Sequence, residues 1–312
     1  MHLAEGVLPL EQAAGWTAVA IPALVWSLRG EQLSQDDGRS TSLVMAGATS
    51  LLFAATLLPL PVPVVGATSH ICLTPVLALV VGLRRILWPT FFVLLLQAVF
   101  FAHGGLTTLG INALTLGLVG PLATVALWTL LRKCGVHNSL GLAIACGAGS
   151  LGVYVADALV LGLALADVAA PGTTFAGMLL GFAPVQIPLS VVEAVASVGI
   201  VRMLATRRPD LLPGSLRTLR RMSASVTSAT MLLFAVGLSG CSYEGIDATV
   251  FGAAAESAGR PPTDSLLDLS QGELGLGMSI IILFGLGFIA GRSWERLVGG
   301  PLTGGQDDAL SR

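Results

Sequence analysis

The first two residues, Met1 and His2, form a ready-made chelate. A free α-amine, the backbone amide nitrogen of His2 and its imidazole Nδ1 close a five-membered and then a six-membered ring around one metal ion. A fourth nitrogen from elsewhere would complete a plane, and square-planar nitrogen sites favour Ni(II) or Cu(II). The remaining histidines are His70, His103 and His137. Cys72, Cys134, Cys146 and Cys241 are scattered with no C-x-x-C pair, which argues against a thiolate metal site. Two carboxyl side chains, Asp157 and Glu193, fall inside long apolar runs. Such groups are costly in hydrocarbon and face the bundle interior. Each reads either as a hydrogen-bonded group pinning helices together or as part of a transport path.

The elements that must position these residues are transmembrane helices. The chain is 54% hydrophobic and only 11% charged, with a mean hydropathy of +0.84, whereas a soluble domain carries about 25% charged residues. Its 38 glycines suit helices packed closely in a bilayer. Net charge is −2 and Lys133 is the one lysine, so no basic surface for nucleic acid exists. No G-x-x-x-x-G-K-[ST] motif occurs, so any ATP hydrolysis through a P-loop falls to a partner. Residues 1–9 hold no lysine or arginine and so lack the basic start of a signal peptide.

Apolar runs at about 10–28, 41–60, 72–83, 86–102, 108–131, 139–166, 177–203, 224–240 and 274–291 predict an all-α integral membrane protein of about nine transmembrane helices. The run 72–83 is short for a full span and reads as tilted or partly broken. With the N-terminus outside and the C-terminus cytoplasmic, the inner loops collect every basic residue of the 16 except Arg260. That asymmetry is the positive-inside signature. The same topology puts His2, the loop carrying His70, and His103 on the outer face, and leaves His137 alone on the inner one.

The organisation expected is a metal-capturing core over 1–205, a basic cytoplasmic linker over 206–222, and a two-span unit over 223–312. An outer loop at 242–273 within the last unit carries Glu244, Asp247, Glu256, Asp264, Asp268 and Glu273. It reads as a solvated loop or as an accessory module.

The stretches MHLAEGVLP at the start, Thr68-Ser69-His70, FAHGGLTTLGINALTLGLVGP at 101–121 and QIPLSVVEAVASVGIV at 186–201 resemble the cobalt/nickel S components of energy-coupling-factor transporters, the CbiM/NikM family. The resemblance covers roughly residues 1–205. It implies that the ion is held by the amine of Met1, the amide and imidazole nitrogens of His2, and His70. Glu5, Ser69 and His103 are then candidates for the surrounding shell, with His103 orienting His70 or holding a water. Glu5 and Gly6 are expected to shape the loop that folds the N-terminus over the site. After His70 the chain runs Ile71-Cys72-Leu73-Thr74-Pro75, where the family usually has a Gly/Thr-rich stretch. That departure leaves cobalt against nickel open, although Glu5-Gly6 is similar to the cobalt members. The C-terminal unit is similar in layout to the family's small two-span accessory subunit, here fused. Tyr243-Glu244-Gly245-Ile246-Asp247 resembles that subunit's Pro-Asp-Gly-Leu-Glu motif.

The function this predicts is the substrate-binding subunit of an ATP-driven cobalt or nickel importer in the cell membrane. It has no catalytic residues and no cofactor, and its cargo is Co2+ or Ni2+. The expected partners are cytoplasmic ATPase subunits, a coupling transmembrane subunit and membrane lipid. The alternative is a self-sufficient secondary transporter or channel for a divalent metal, which needs polar groups lining a path at mid-membrane. Only Asp157 and Glu193 are candidates for that role. Gly237-Leu238-Ser239-Gly240 spells a serine-protease motif, but no histidine base follows it, since His137 is the last. The Leu238-Ser239-Gly240-Cys241 stretch that overlaps it resembles a lipoprotein processing box but lies deep within the chain.

Overall fold

The computed structural model describes residues 2–28, 38–57, 60–62, 67–166, 170–220, 244–245 and 248–264, together with eight positions between 277 and 289. Among these the fold is a helical bundle. Helices α1 (Leu10–Leu28), α2 (Gly38–Leu57), α3 (Thr74–Val81) and α4 (Leu83–Phe100) come first. Next, α5 (Leu109–Leu114) runs through a π turn, Thr115–Val119, into α6 (Gly120–Lys133). Last come the long pair α7 (Asn138–Ala164) and α8 (Pro171–Arg207). Among the described residues, four helical stretches are long and apolar enough to cross a membrane: Leu83–Phe100, Leu109–Lys133, Asn138–Ala164 and Pro171–Arg207. Large apolar side chains such as Leu159, Leu163, Leu180, Ile187 and Val191 face outward on α7 and α8. An outward apolar surface of this kind suits lipid and not water, and the protein is a membrane-embedded, multi-pass one.

The apolar runs of the sequence become helices with shifted ends. Helix α3 has 8 residues, too few for a span, because Leu73 at its start and Gly82 at its end both take positive φ (54° and 100°). Helix α4 starts directly after Gly82, so Arg84 and Arg85 belong to its first turn and not to a loop. Arg84 Nε donates to Trp26 O at 2.5 Å, and its guanidinium lies 5.3 Å from the Trp26 ring, tying α4 to α1. Helix α8 begins at Pro171, where a missing N–H costs nothing in the first turn. It carries Pro184 and Pro188 inside its length. The runs 224–240 and 274–291 lie outside the described residues, apart from a few helical positions of the second.

Glycine sets how closely the helices pack. A Cβ on Gly149 of α7 would collide with Thr124 Oγ1 and stand 2.8 Å from Gly120 O of α6. A Cβ on Gly147 would sit 3.3 Å from Ser190 O of α8. Without a hydrophobic drive between helices in lipid, this backbone approach is what gives the bundle its cohesion. Between α2 and α3, β1 (Leu60–Val62) pairs antiparallel with β2 (Ala67–Ser69), matching Leu60 with Ser69. Strand β3 (Glu244–Gly245) adds to the other side of β2 in parallel, with Ala67 opposite Glu244 and Thr68 opposite Gly245.

Two C-terminal segments pack on this bundle. Leu212, Leu216 and Leu219 are buried in one of its two cores, so the basic stretch after α8 is held against the body. Asn138 Nδ2 also donates to Thr218 Oγ1 at 2.9 Å. Of the acidic stretch 242–273, the described residues 248–264 make several contacts with the bundle. Phe251 lies 4.4 Å from the ring of Phe182, Arg260 donates to Ala164 O, and Thr263 N donates to Glu5 O at 3.0 Å.

Replacing Gly149 with Val should therefore be destabilising by about 1–3 kcal/mol through overpacking. Gly172→Ala, where nothing lies within 4 Å, should be near neutral. Thermal melting of the detergent-solubilised protein compares the two, and equal melting temperatures would contradict the packing described.

Candidate metal centre

His70 stands between strand β2 and helix α3, and the loop around it is fixed from behind by α7 and α8. On the strand side, Ser69 Oγ lies 3.2 Å from Tyr154 OH and accepts Gln186 Nε2 at 3.0 Å. On the helix side, Glu193 takes the place of a cap. Its Oε2 accepts Cys72 N at 3.1 Å and Ser150 Oγ at 2.7 Å, and its Oε1 accepts Leu73 N at 2.8 Å. These N–H groups precede the first turn of α3, which has no side-chain cap of its own. Unpaired N–H groups at a helix start need acceptors, and buried ones need them more. Glu193 is thus a structural carboxyl, fully buried, that holds the loop two residues beyond His70.

His2 is positioned by the other family-like stretch. Asn112 of α5 presents its side-chain amide to the backbone of Leu3 as a second strand would. Oδ1 accepts Leu3 N at 2.9 Å and Nδ2 donates to Leu3 O at 3.0 Å. Thr108 Oγ1 donates to the same carbonyl at 2.6 Å. Glu5 then folds the segment down. Its carboxylate accepts Leu106 N at 2.7 Å, Thr107 N at 3.3 Å and the Thr107 hydroxyl. Close approach here requires glycine. A Cβ on Gly105 would stand 2.7 Å from Glu5 N, and one on Gly104, where φ is +86°, would stand 3.4 Å from His2 Cβ.

His103 is placed by the end of α4. Phe101 N and His103 N both donate to Gln97 O, each at 3.1 Å, and Ala102 between them adopts a left-handed φ of 47°. For a residue with a Cβ that conformation costs about 1–2 kcal/mol. The cost goes into turning the chain so that His103 faces His2.

The three imidazoles converge. One ligand nitrogen from each of His2, His70 and His103 lies within 4.8 Å of the others. Ring centroids are 5.0 Å apart for His2–His70, 4.7 Å for His2–His103 and 5.5 Å for His70–His103. Imidazoles radiating from one ion at about 90–120° have centroids roughly 4.5–5.5 Å apart, given metal–nitrogen bonds of about 2.0–2.1 Å. The centroid spacing is that of rings grouped about one point, and a small inward shift of the nitrogens would let them share a single ion. His2 and His70 are each 4% exposed, and His103 is half buried. Burial, together with nearby positive charge that includes His103, holds the His70 imidazole well below its ordinary value. It therefore stays neutral, the form that binds metal.

Of the other residues expected near the site, Met1 lies outside the described residues. Glu5 anchors the N-terminal segment, and Ser69 is the residue just before His70, engaged with Tyr154 and Gln186. His137 is exposed at the far end of α7. Sequence reasoning did not reach Asn112, Thr108 or Ser150. Asn112 sits inside the stretch 101–121, and its signal there was an amide in an otherwise apolar run.

These features define a class: a multi-pass membrane protein that gathers buried histidines at one end of its bundle. The sequence matches the family described as "Cobalt uptake substrate-specific transmembrane region", CbiM, over residues 2–211. The chain belongs to that family. A relative from Geobacter sulfurreducens, "Cobalt transport protein CbiM", is 34% identical over 96% of this chain and 90% of its own length. A second of the same name, from Sorangium cellulosum, is 36% identical over 68% of this chain and 94% of its own. The fold is shared with the crystal structure of a truncated transition metal transporter at a TM-score of 0.55, with 22% identity over 65% of this chain and 97% of that one.

Asn112→Ala removes two hydrogen bonds to the buried Leu3 backbone and leaves Leu3 N without its acceptor, while Thr108 still serves the carbonyl, a cost of about 1–3 kcal/mol. Metal affinity should fall roughly 5–150-fold, that energy expressed as an equilibrium factor. Isothermal titration with Co2+ measures it, and an unchanged affinity would mean the N-terminal segment is held by other means.

Proposed function

We propose that this protein is the metal-capturing subunit of an ATP-driven, energy-coupling-factor type importer, and that its cargo is cobalt. The ion is held on the outer side by the amine of Met1, the amide nitrogen and Nδ1 of His2, and His70. The observation that carries this reading is the convergence of His2 and His70, two buried imidazoles brought together from separate loops. Family membership and relatives named as cobalt transport proteins support the cargo.

The nine-span topology with the N-terminus outside belongs to this proposal, supported by the distribution of basic residues. So do the partners: a pair of cytoplasmic ATPases and a coupling membrane subunit, because the sequence has no P-loop with which to use ATP. The protein binds and releases its ion and makes or breaks no covalent bond. A fused accessory unit at the C-terminus is in keeping with a relative that matches 96% of the chain beside another that matches 68%. A self-sufficient transporter is disfavoured by Glu193, one of the two carboxyls such a path would use, because three hydrogen bonds already engage it.

The amine is the most exposed part of the proposal to test. An N-terminal tag that can be cleaved back to Met1 moves the amine away while leaving every helix and histidine intact. The uncleaved form should retain little or no Co2+ through purification, and the cleaved form about one ion per molecule. Equal retention by the two forms would exclude the amine as a ligand.

The pH dependence follows from which protons the metal displaces. A free α-amine has a pKa of about 7.7–8.0 and a free imidazole about 6.5. The His70 value is lowered, so this residue is already neutral above the free-imidazole range and costs the metal no proton there. Affinity should thus fall steeply as pH drops from about 8 to 6, carried chiefly by the amine and the His2 amide. Titrations across that range test it, and a flat profile would point to carboxylate ligands.

A further inference from the structure

His103 is within ligand reach of both His2 and His70, and the four in-plane positions of the proposed site are already filled by Met1, His2 and His70. A third imidazole close enough to bind the same ion has one kind of position left, above or below the plane. We propose that His103 is the axial fifth ligand of the captured ion and biases the site toward Co(II) over Ni(II). This rests on the reading of the site given under Proposed function.

The geometry supports the axial assignment. Chelation through the amide nitrogen and Nδ1 of one residue keeps the His2 ring near the coordination plane. An axial imidazole contains the axis in its own ring plane and must stand perpendicular to that plane. The His103 ring is at 88° to the His2 ring, with centroids 4.7 Å apart. Its ligand nitrogen lies within the 4.8 Å cluster. The backbone aims it independently of the N-terminal segment, through the Gln97 carbonyl and the left-handed turn at Ala102. It is also the least buried of the three imidazoles.

The selectivity follows from electron count. Four strong nitrogen donors, one an ionised amide, make Ni(II) low-spin and square-planar. Its filled axial orbital repels a fifth ligand. Low-spin Co(II) has one electron fewer, leaving that orbital half filled, and binds a single axial nitrogen. His103 therefore adds affinity for Co(II) and none for Ni(II).

The unpaired electron of low-spin Co(II) points along the axis, so one axial nitrogen splits each cobalt hyperfine line into a triplet in the electron paramagnetic resonance spectrum. The full-length protein, purified with Met1 free and loaded with Co2+, should show that triplet. Incorporation of histidine carrying the heavy nitrogen isotope should turn it into a doublet. His103→Ala should lose the splitting while keeping one bound ion. Its Co2+ affinity should drop about 10–100-fold, the range for groups that tune metal sites, with Ni2+ affinity unchanged. Exogenous imidazole should restore the triplet in the variant. A wild-type spectrum without single-nitrogen splitting overturns the axial role without any mutation, as does a His103→Ala variant with an unaltered spectrum and Co2+/Ni2+ ratio. The underlying site fails separately: if His70→Ala retains Co2+ as the wild type does, the in-plane reading falls, whatever His103 does.

Discussion

A single buried carboxyl does most to decide where His70 sits. Glu193 projects from α8 into the gap in front of α3 and accepts two consecutive backbone N–H groups. Without that acceptor, the loop would leave donors unsatisfied in an apolar interior, at several kilocalories per mole. The carboxyl also takes the Ser150 hydroxyl, which joins α7 to the same point. One turn further along α7, Tyr154 reaches Ser69 on the other side of His70. The loop is therefore gripped on both flanks by two helices whose own contact is made close by small residues. Rigidity at the histidine is borrowed from the α7–α8 pair.

The N-terminal segment solves the same problem with different groups. It has no helix or strand of its own in front of α1, so its backbone must find partners in side chains. Asn112 supplies both a donor and an acceptor, Thr108 a second donor, and Glu5 turns its carboxylate back onto the loop after His103. The two glycines after His103 let these backbones touch. Specificity in a metal site depends on ligands held within a fraction of an ångström, and outer groups of this kind supply that constraint.

Much of this was legible in the sequence, for definite reasons. The apolar runs up to residue 203 mark the helices described, and the distribution of arginines groups His2, His70 and His103, which the fold brings together. Helix ends were less legible, because charge at Arg84 and Arg85 suggested a loop where Gly82 alone makes the break. Glu193 and Asn112 could be flagged as polar groups in apolar surroundings, but not assigned. Their partners lie 120 and 109 residues away, and no local pattern reports a contact that distant. Nor does a two-residue strand at Glu244–Gly245 announce that it will pair beside β2.

That separation along the chain carries a consequence for the life of the molecule before it is finished. A polypeptide enters the membrane from its N-terminus, and contacts between distant segments form last. His2 and His70 are synthesised early, yet the carboxyl that fixes the His70 loop arrives only with α8. Until then the two imidazoles have no common geometry. The convergence of His2 and His70 is thus a property of the completed bundle, reached only once α8 has supplied the carboxyl that fixes the His70 loop.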